Sequence, residues 1–128
     1  MILVDTSVIV DYLRSPTDRV LNLLQENAAA VCGVTRAEVL AGARDRAHLG
    51  RLSATLDTLE QVAIPETTWD LLGNHLAALR AAGVTVPLAD AIIATIAIDN
   101  DLELWARDDH FARVQSVLPS LKLFHEPP

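Results

Sequence analysis

The feature that most constrains this chain is an alternation. Short apolar runs end in acidic or turn-forming residues, and each gives way to a longer segment with apolar residues at helical spacing. Met1–Val4 stops at Asp5-Thr6-Ser7 and passes into a helix expected from about Ser7, broken near Ser15-Pro16. A second helix is expected from about Thr17 to Asn27, with Val20, Leu23 and Leu24 on one face. Ala30–Val34, Gln61–Ile64 (stopped by Pro65), Leu102–Ala106 and Leu121–His125 read as the remaining strands. Between them, Thr35-Arg36-Ala37-Glu38 has the form of a capping box opening a helix to about Arg44. Leu49, Leu52, Leu56 and Leu59 mark the next helix, and Trp69, Leu72, Leu76 and Leu79 a longer one ending near Gly83. Pro87 starts a strongly apolar helix from Leu88 to about Asp99, and Asp109–Val114 gives a short last one.

Strands separated by helices cannot pair as tight hairpins, so they lie parallel with right-handed crossovers. The expected class is α/β: a three-layer α/β/α sandwich with a parallel sheet of four or five strands, one domain over residues 1–128. Composition agrees. Hydrophobic residues make up 51% of the chain, and aromatics only 4%. The excess in Ala, Leu, Val and Ile suits a sheet covered on both faces. Several helix residues, among them Val20, Leu24, Leu49, Leu52, Leu56 and Trp69, cannot all reach one sheet, so some are expected to line an exposed groove or a dimer face. Trp69 and Trp105 are otherwise read as core residues.

The first residues lack the basic region of a signal peptide, and the longest apolar stretch, Ala91–Ile98, is far too short to span a bilayer. A lone Cys32 allows no internal disulfide and fits a reducing compartment, so a cytoplasmic protein without membrane contact is expected. A net charge of −7 argues against a high-affinity nucleic-acid binder. It leaves room for an acidic site that brings its own divalent cations. Nine of the ten cations are arginine, and Arg36, Arg44, Arg46 and Arg51 bunch together.

Four acids fall at one edge of the expected sheet, where sites form in open parallel sheets. Asp5 ends the first strand, Glu38 and Asp90 sit in first turns of helices, and Asp108 follows the fourth strand. Each alone is explained by helix capping, which stabilises by about 0.3–1 kcal/mol. Glu38 is fully accounted for by its pairing with Thr35. Asp90 is not, because the adjoining Ala91-Ile92-Ile93-Ala94 must pack inside, where an unpaired carboxylate is costly. Together the four cannot share a pocket without cations, and oxygen ligands select Mg²⁺ or Mn²⁺ over zinc. His48, His75, His110 and His125 are scattered, with no zinc spacing. Such an ion suits phosphodiester hydrolysis. Thr6 and Ser7 are read as N-caps first and as hydroxyls steadying a carboxylate second; Asp109 is a possible outer ligand and Asp101 a solvated or capping residue.

Val4-Asp5-Thr6-Ser7-Val8-Ile9, the Glu in the second crossover helix, Leu88-Ala89-Asp90-Ala91-Ile92-Ile93-Ala94 and Ala106-Arg107-Asp108-Asp109-His110-Phe111 resemble PIN-domain nucleases, most nearly VapC toxins of toxin–antitoxin pairs. The resemblance covers essentially the whole chain. It implies a Mg²⁺- or Mn²⁺-dependent endoribonuclease, usually a homodimer, inhibited by a cognate antitoxin. Asp5, Glu38, Asp90 and Asp108 would be its acidic quartet, with Asp5, Asp90 and Asp108 on the metal. Ala106 departs from the family, which commonly has Thr or Ser there. Alternatives are a non-catalytic PIN-like binding partner, and a receiver-like signalling domain, which would need a lysine near the acids; the only one is Lys122.

Overall fold

The computed structural model describes residues 1–128. In chain order its elements are β1 (Ile2–Val4), α1 (Thr6–Arg14), α2 (Asp18–Glu26), β2 (Ala29–Val31), α3 (Gly33–Ala41) and α4 (Arg46–Asp57), then β3 (Glu60–Gln61), α5 (Thr68–Ala81), α6 (Leu88–Asp99), β4 (Glu103–Trp105), α7 (His110–Val117) and β5 (Lys122–Leu123). The five strands form one sheet in the order β3-β2-β1-β4-β5, every pair parallel. The expected α/β/α sandwich is the observed fold.

Strand alternation builds the layers. Ile2, Val4 and Trp105 point to one face and pack with Val8, Leu24, Val39 and Leu56 from α1–α4. Leu3 and Leu104 point to the other and pack with Leu72, Ile93, Phe111 and Val114 from α5–α7. With both faces covered, β1 and β2 carry no polar residue, and β4 only the exposed Glu103 at its start. Helix α6 is buried on most sides, and its polar groups are matched. Thr68 Oγ1 donates to Asp99 Oδ2 at 2.9 Å, and His75 Nδ1 lies 2.8 Å from Thr95 Oγ1. These contacts pair the start of α5 with the end of α6, so the two run antiparallel. Helix α5 ends as the sequence predicts. Gly83 adopts φ +71°, and the amides of Gly83 and Val84 turn back to the carbonyls of Arg80 and Leu79, which a residue with a Cβ would resist.

Three expectations are corrected. Strand β2 ends at Val31 rather than Val34, because Cys32 is already the extended residue that caps α3. Thr35 therefore lies inside α3, its hydroxyl buried without a partner, and the capping box with Glu38 does not form. Strand β3 is shorter than Gln61–Ile64: both its residues are exposed at the sheet's edge, and Pro65, which lacks an N–H, follows closely. Trp69 is not core but 47% exposed on α5, and Leu49 is also exposed, while Val20, Leu24, Leu52 and Leu56 are buried.

Candidate functional site

The strand order reverses between β1 and β4. From β1 the chain moves outward to β2 and β3; later it returns to the other side of β1. A crevice opens beyond the carboxyl ends of β1 and β4 at such a reversal. Asp5 follows β1 directly, and Asp108 lies three residues beyond β4.

Asp5 is itself the N-cap of α1. Its Oδ2 accepts from the Ser7 amide at 3.1 Å and from the Ser7 hydroxyl at 2.6 Å. Thr6 and Ser7 are thus not the caps; their hydroxyls serve carboxylates. Thr6 Oγ1 donates to Glu38 Oε1 at 2.7 Å, which ties α3 to the start of α1. Glu38 is solvent-exposed in the second turn of α3. Asp90 sits in the first turn of α6 and is buried. Asp108 lies in the loop before α7, where its Oδ1 accepts from the His110 amide, the first of that helix, at 3.0 Å, close to Asp90. Asp109 is exposed and makes no side-chain cap.

Asp90, Asp108 and His110 each offer a ligand atom within 4.8 Å of the others. His110 Nδ1 lies 2.5 Å from Asp90 Oδ2 and 3.8 Å from Asp108 Oδ1. Sequence reasoning gave His110 no role. Its only signal was its place two residues after Asp108, and its contact with Asp90 depends on how α7 packs against α6.

Asp5 and Asp90 hold their protons more tightly than usual. Burial pushes the Asp5 carboxyl up; the Ser7 hydrogen bonds oppose this, and repulsion from Asp108 adds to it. Burial also raises Asp90, against the hydrogen bond from His110, with repulsion from Asp108 and Asp5 adding. Asp5 therefore shares the electrostatic field of the Asp90–Asp108 pair without joining the tight group. Glu38 stands at the rim. Crowded carboxylates with raised pKa values are what a bound cation would relieve, and a donor set of carboxylates with one imidazole fits a hard or borderline divalent ion. Lys122 is far from this centre: it opens β5 and pairs with Asp101 at 2.5 Å, where the strands begin. A receiver-like site is therefore not assembled.

Two further features were not read from sequence. Near the chain's end, Glu126 accepts from Arg107 Nε and Nη2 at 2.9 and 2.7 Å, from Arg19 Nη1 at 3.0 Å and from the buried Trp105 Nε1 at 3.1 Å. Its carboxyl is pulled down to about 2, chiefly by Arg107. Away from the acids, α1, α2 and α4 enclose a groove of about 750 Å³ lined by Ile9, Tyr12, Leu13, Leu24, Leu56 and Leu59.

The model of the PIN domain family matches residues 2–117. Among solved structures, the chain is similar to VapBC2 from Rickettsia felis, bound to a promoter DNA fragment, at 22% identity and TM-score 0.83, covering 97% of this chain and 98% of that one. VapBC-1 from nontypeable Haemophilus influenzae is similar at 16% identity and TM-score 0.82, covering 97% of each chain. A DNA-bound VapBC from Salmonella typhimurium is similar at 19% identity and TM-score 0.81, covering 97% and 98%. At these identities the likeness speaks to fold. No curated protein matches the chain.

Proposed function

The chain belongs to the PIN-domain family, and on that premise we propose that it is a metal-dependent endoribonuclease, the toxin of a toxin–antitoxin pair. The observation that carries the reading is the meeting of Asp90, Asp108 and His110 within 4.8 Å, beside buried Asp5, at the carboxyl edge of the sheet. Asp5, Asp90 and Asp108 would hold a divalent ion, Mg²⁺ or Mn²⁺, with Glu38 completing the catalytic quartet. When bound, that ion supplies stabilisation of the charge that develops on the phosphate under attack. The protein's part is positioning. Ser7 fixes the rotamer of Asp5, and the first turn of α6 holds Asp90 at the rim of the core. His110 is placed to move a proton to or from Asp90, and Glu38, steadied by Thr6, presents its second oxygen to accept a proton from water. Asp109 is the candidate outer contact. Purified protein should cut single-stranded RNA with Mg²⁺ or Mn²⁺ and lose all cutting in excess EDTA; undiminished cutting in EDTA would reject the mechanism.

The partner side of the reading draws on two further similar structures, a toxin–antitoxin complex from Klebsiella pneumoniae and a member of the VapBC family of toxin–antitoxin systems from Mycobacterium tuberculosis. An antitoxin segment would lay apolar side chains into the groove between α1, α2 and α4 and point a cation at the acids. Leu13→Arg, in that groove, should weaken antitoxin binding by tenfold or more, since a buried charge costs at least ~1.4 kcal/mol. RNA cleavage by the isolated variant should be unchanged. Equal antitoxin affinity in a pull-down titration would move the partner elsewhere. A homodimer is expected on the same reading, with exposed Trp69 and Leu49 as its candidate contacts.

A further inference from the structure

The loop between β4 and α7, residues 106–109, carries Asp108 and leads into His110, yet it has no regular structure. Two ties reach it from distant segments, and both end on Arg107. The Arg107 amide donates to Ser7 Oγ at 2.9 Å, and that same oxygen donates to Asp5 Oδ2. The Arg107 guanidinium is held in a two-point grip by Glu126, with Asp11 at 3.7 Å as a weaker neighbour. Glu126 in turn cannot easily swing away. Trp105 Nε1 is a buried donor that would lose its partner, and Arg19 grips both Glu126 and the carbonyl of Pro127. We propose that Glu126 is a positioning residue: its carboxylate fixes Arg107, and through Arg107 the loop that presents Asp108 and His110 to Asp5 and Asp90.

The physical case is the unequal quality of the two ties. A single amide-to-hydroxyl bond leaves a four-residue loop free to pivot. A charge-assisted, bidentate Arg–carboxylate pair restricts the guanidinium in both direction and plane. Because Arg107 immediately precedes Asp108, a pivot at Arg107 displaces the Asp108 carboxylate directly. Groups that orient ligands in this way typically change metal affinity or activity by roughly 10–100-fold when removed.

This inference takes its functional meaning from the metal-site reading, but its test separates the two. In metal-free protein, amide exchange of Arg107 and His110 reports the loop itself. Glu126→Gln, which keeps the shape, and Glu126→Ala, which does not, should both speed exchange at these amides while the central strands stay protected. Mn²⁺ affinity should fall roughly 10–100-fold in Glu126→Ala and less in Glu126→Gln. Leu79→Ala, a core change in α5, supplies the control: at a matched loss of Tm it should alter neither readout. Unchanged loop exchange in Glu126→Ala, or losses that Leu79→Ala reproduces, would overturn the positioning role. Faster loop exchange in a protein whose wild type binds no Mn²⁺ would uphold it and reject the metal-site reading instead.

Discussion

Asp90→Asn should abolish metal-dependent RNA cleavage, lowering the rate by at least roughly 10³-fold while the fold persists. Asn keeps the shape and an acceptor for His110 but removes the charge. The proposed site has three acids around one ion, so losing the buried one weakens both ion binding and the ion's action on the phosphate. A loss of about 4 kcal/mol of transition-state stabilisation corresponds to that factor. If Asp90 merely steadied the first turn of α6, the substitution would cost about 0.3–1 kcal/mol of stability and leave cleavage intact. Single-turnover cleavage across a Mn²⁺ series separates the two; near wild-type rates in Asp90→Asn would remove this residue from the site. Asp5→Asn should behave alike, because Asp5 is buried and its Ser7 bonds serve the charged form.

Thermal melts should show the same site without any substrate. Metal-free, Asp5 and Asp90 have folded-state pKa values above their unfolded ones, mainly through burial. The stabilisation they give is then fully present below the unfolded carboxyl value, about 4, and is lost as pH rises through their folded values. Ionising them therefore costs the apo fold stability, so Asp90→Asn should be as stable as wild type or more so above the carboxyl range. Added Mn²⁺ reverses the order. A ligand that binds only the folded state at a hundredfold excess over Kd adds about 2.7 kcal/mol. For a chain of this size that raises Tm by roughly 10 °C. Wild type should show this rise and Asp90→Asn much less. The rise should shrink as pH falls toward the carboxyl range, because protons compete with the ion. Parallel responses, with the mutant lower throughout, would mean that the acids are caps and nothing more.

The fold was legible where patterns are local. Ile2-Leu3-Val4, the spaced leucines of α4 and the apolar run of α6 each declare their element through period and burial. Asp90 was legible as unusual because it adjoins a segment that must be buried, and a charge there requires an explanation from the chain alone; Asp5, which caps α1, could be read from the sequence as a cap and nothing more. The capping box of Thr35 and Glu38 was misread for the complementary reason. Thr35 and Glu38 satisfy the spacing of a capping box, but whether Thr35 is a cap depends on where β2 releases the chain. That release is fixed by pairing with β1 and β3, which no local pattern records. Trp69 failed similarly, since helical spacing says which side chains align but not whether anything covers them.

What the sequence determined by itself is the succession of strands and helices, the parallel sheet that succession requires, and the presence of acids at the ends of strands. These follow from short-range physics: side-chain period, backbone geometry at Gly and Pro, and the cost of burying charge. Only the tertiary structure decided which of those acids meet. Asp90 and His110 are 20 residues apart and touch because α6 packs against α7. Thr6 reaches Glu38, and Ser7 reaches Arg107, because α1 starts at the centre of the sheet. Glu126, 19 residues beyond Arg107, grips it because β5 brings the chain's end back alongside β4. Hydrogen bonds and ligand distances act over about 3 Å, and contacts on that scale between remote residues are set by packing angles that sequence spacing does not encode.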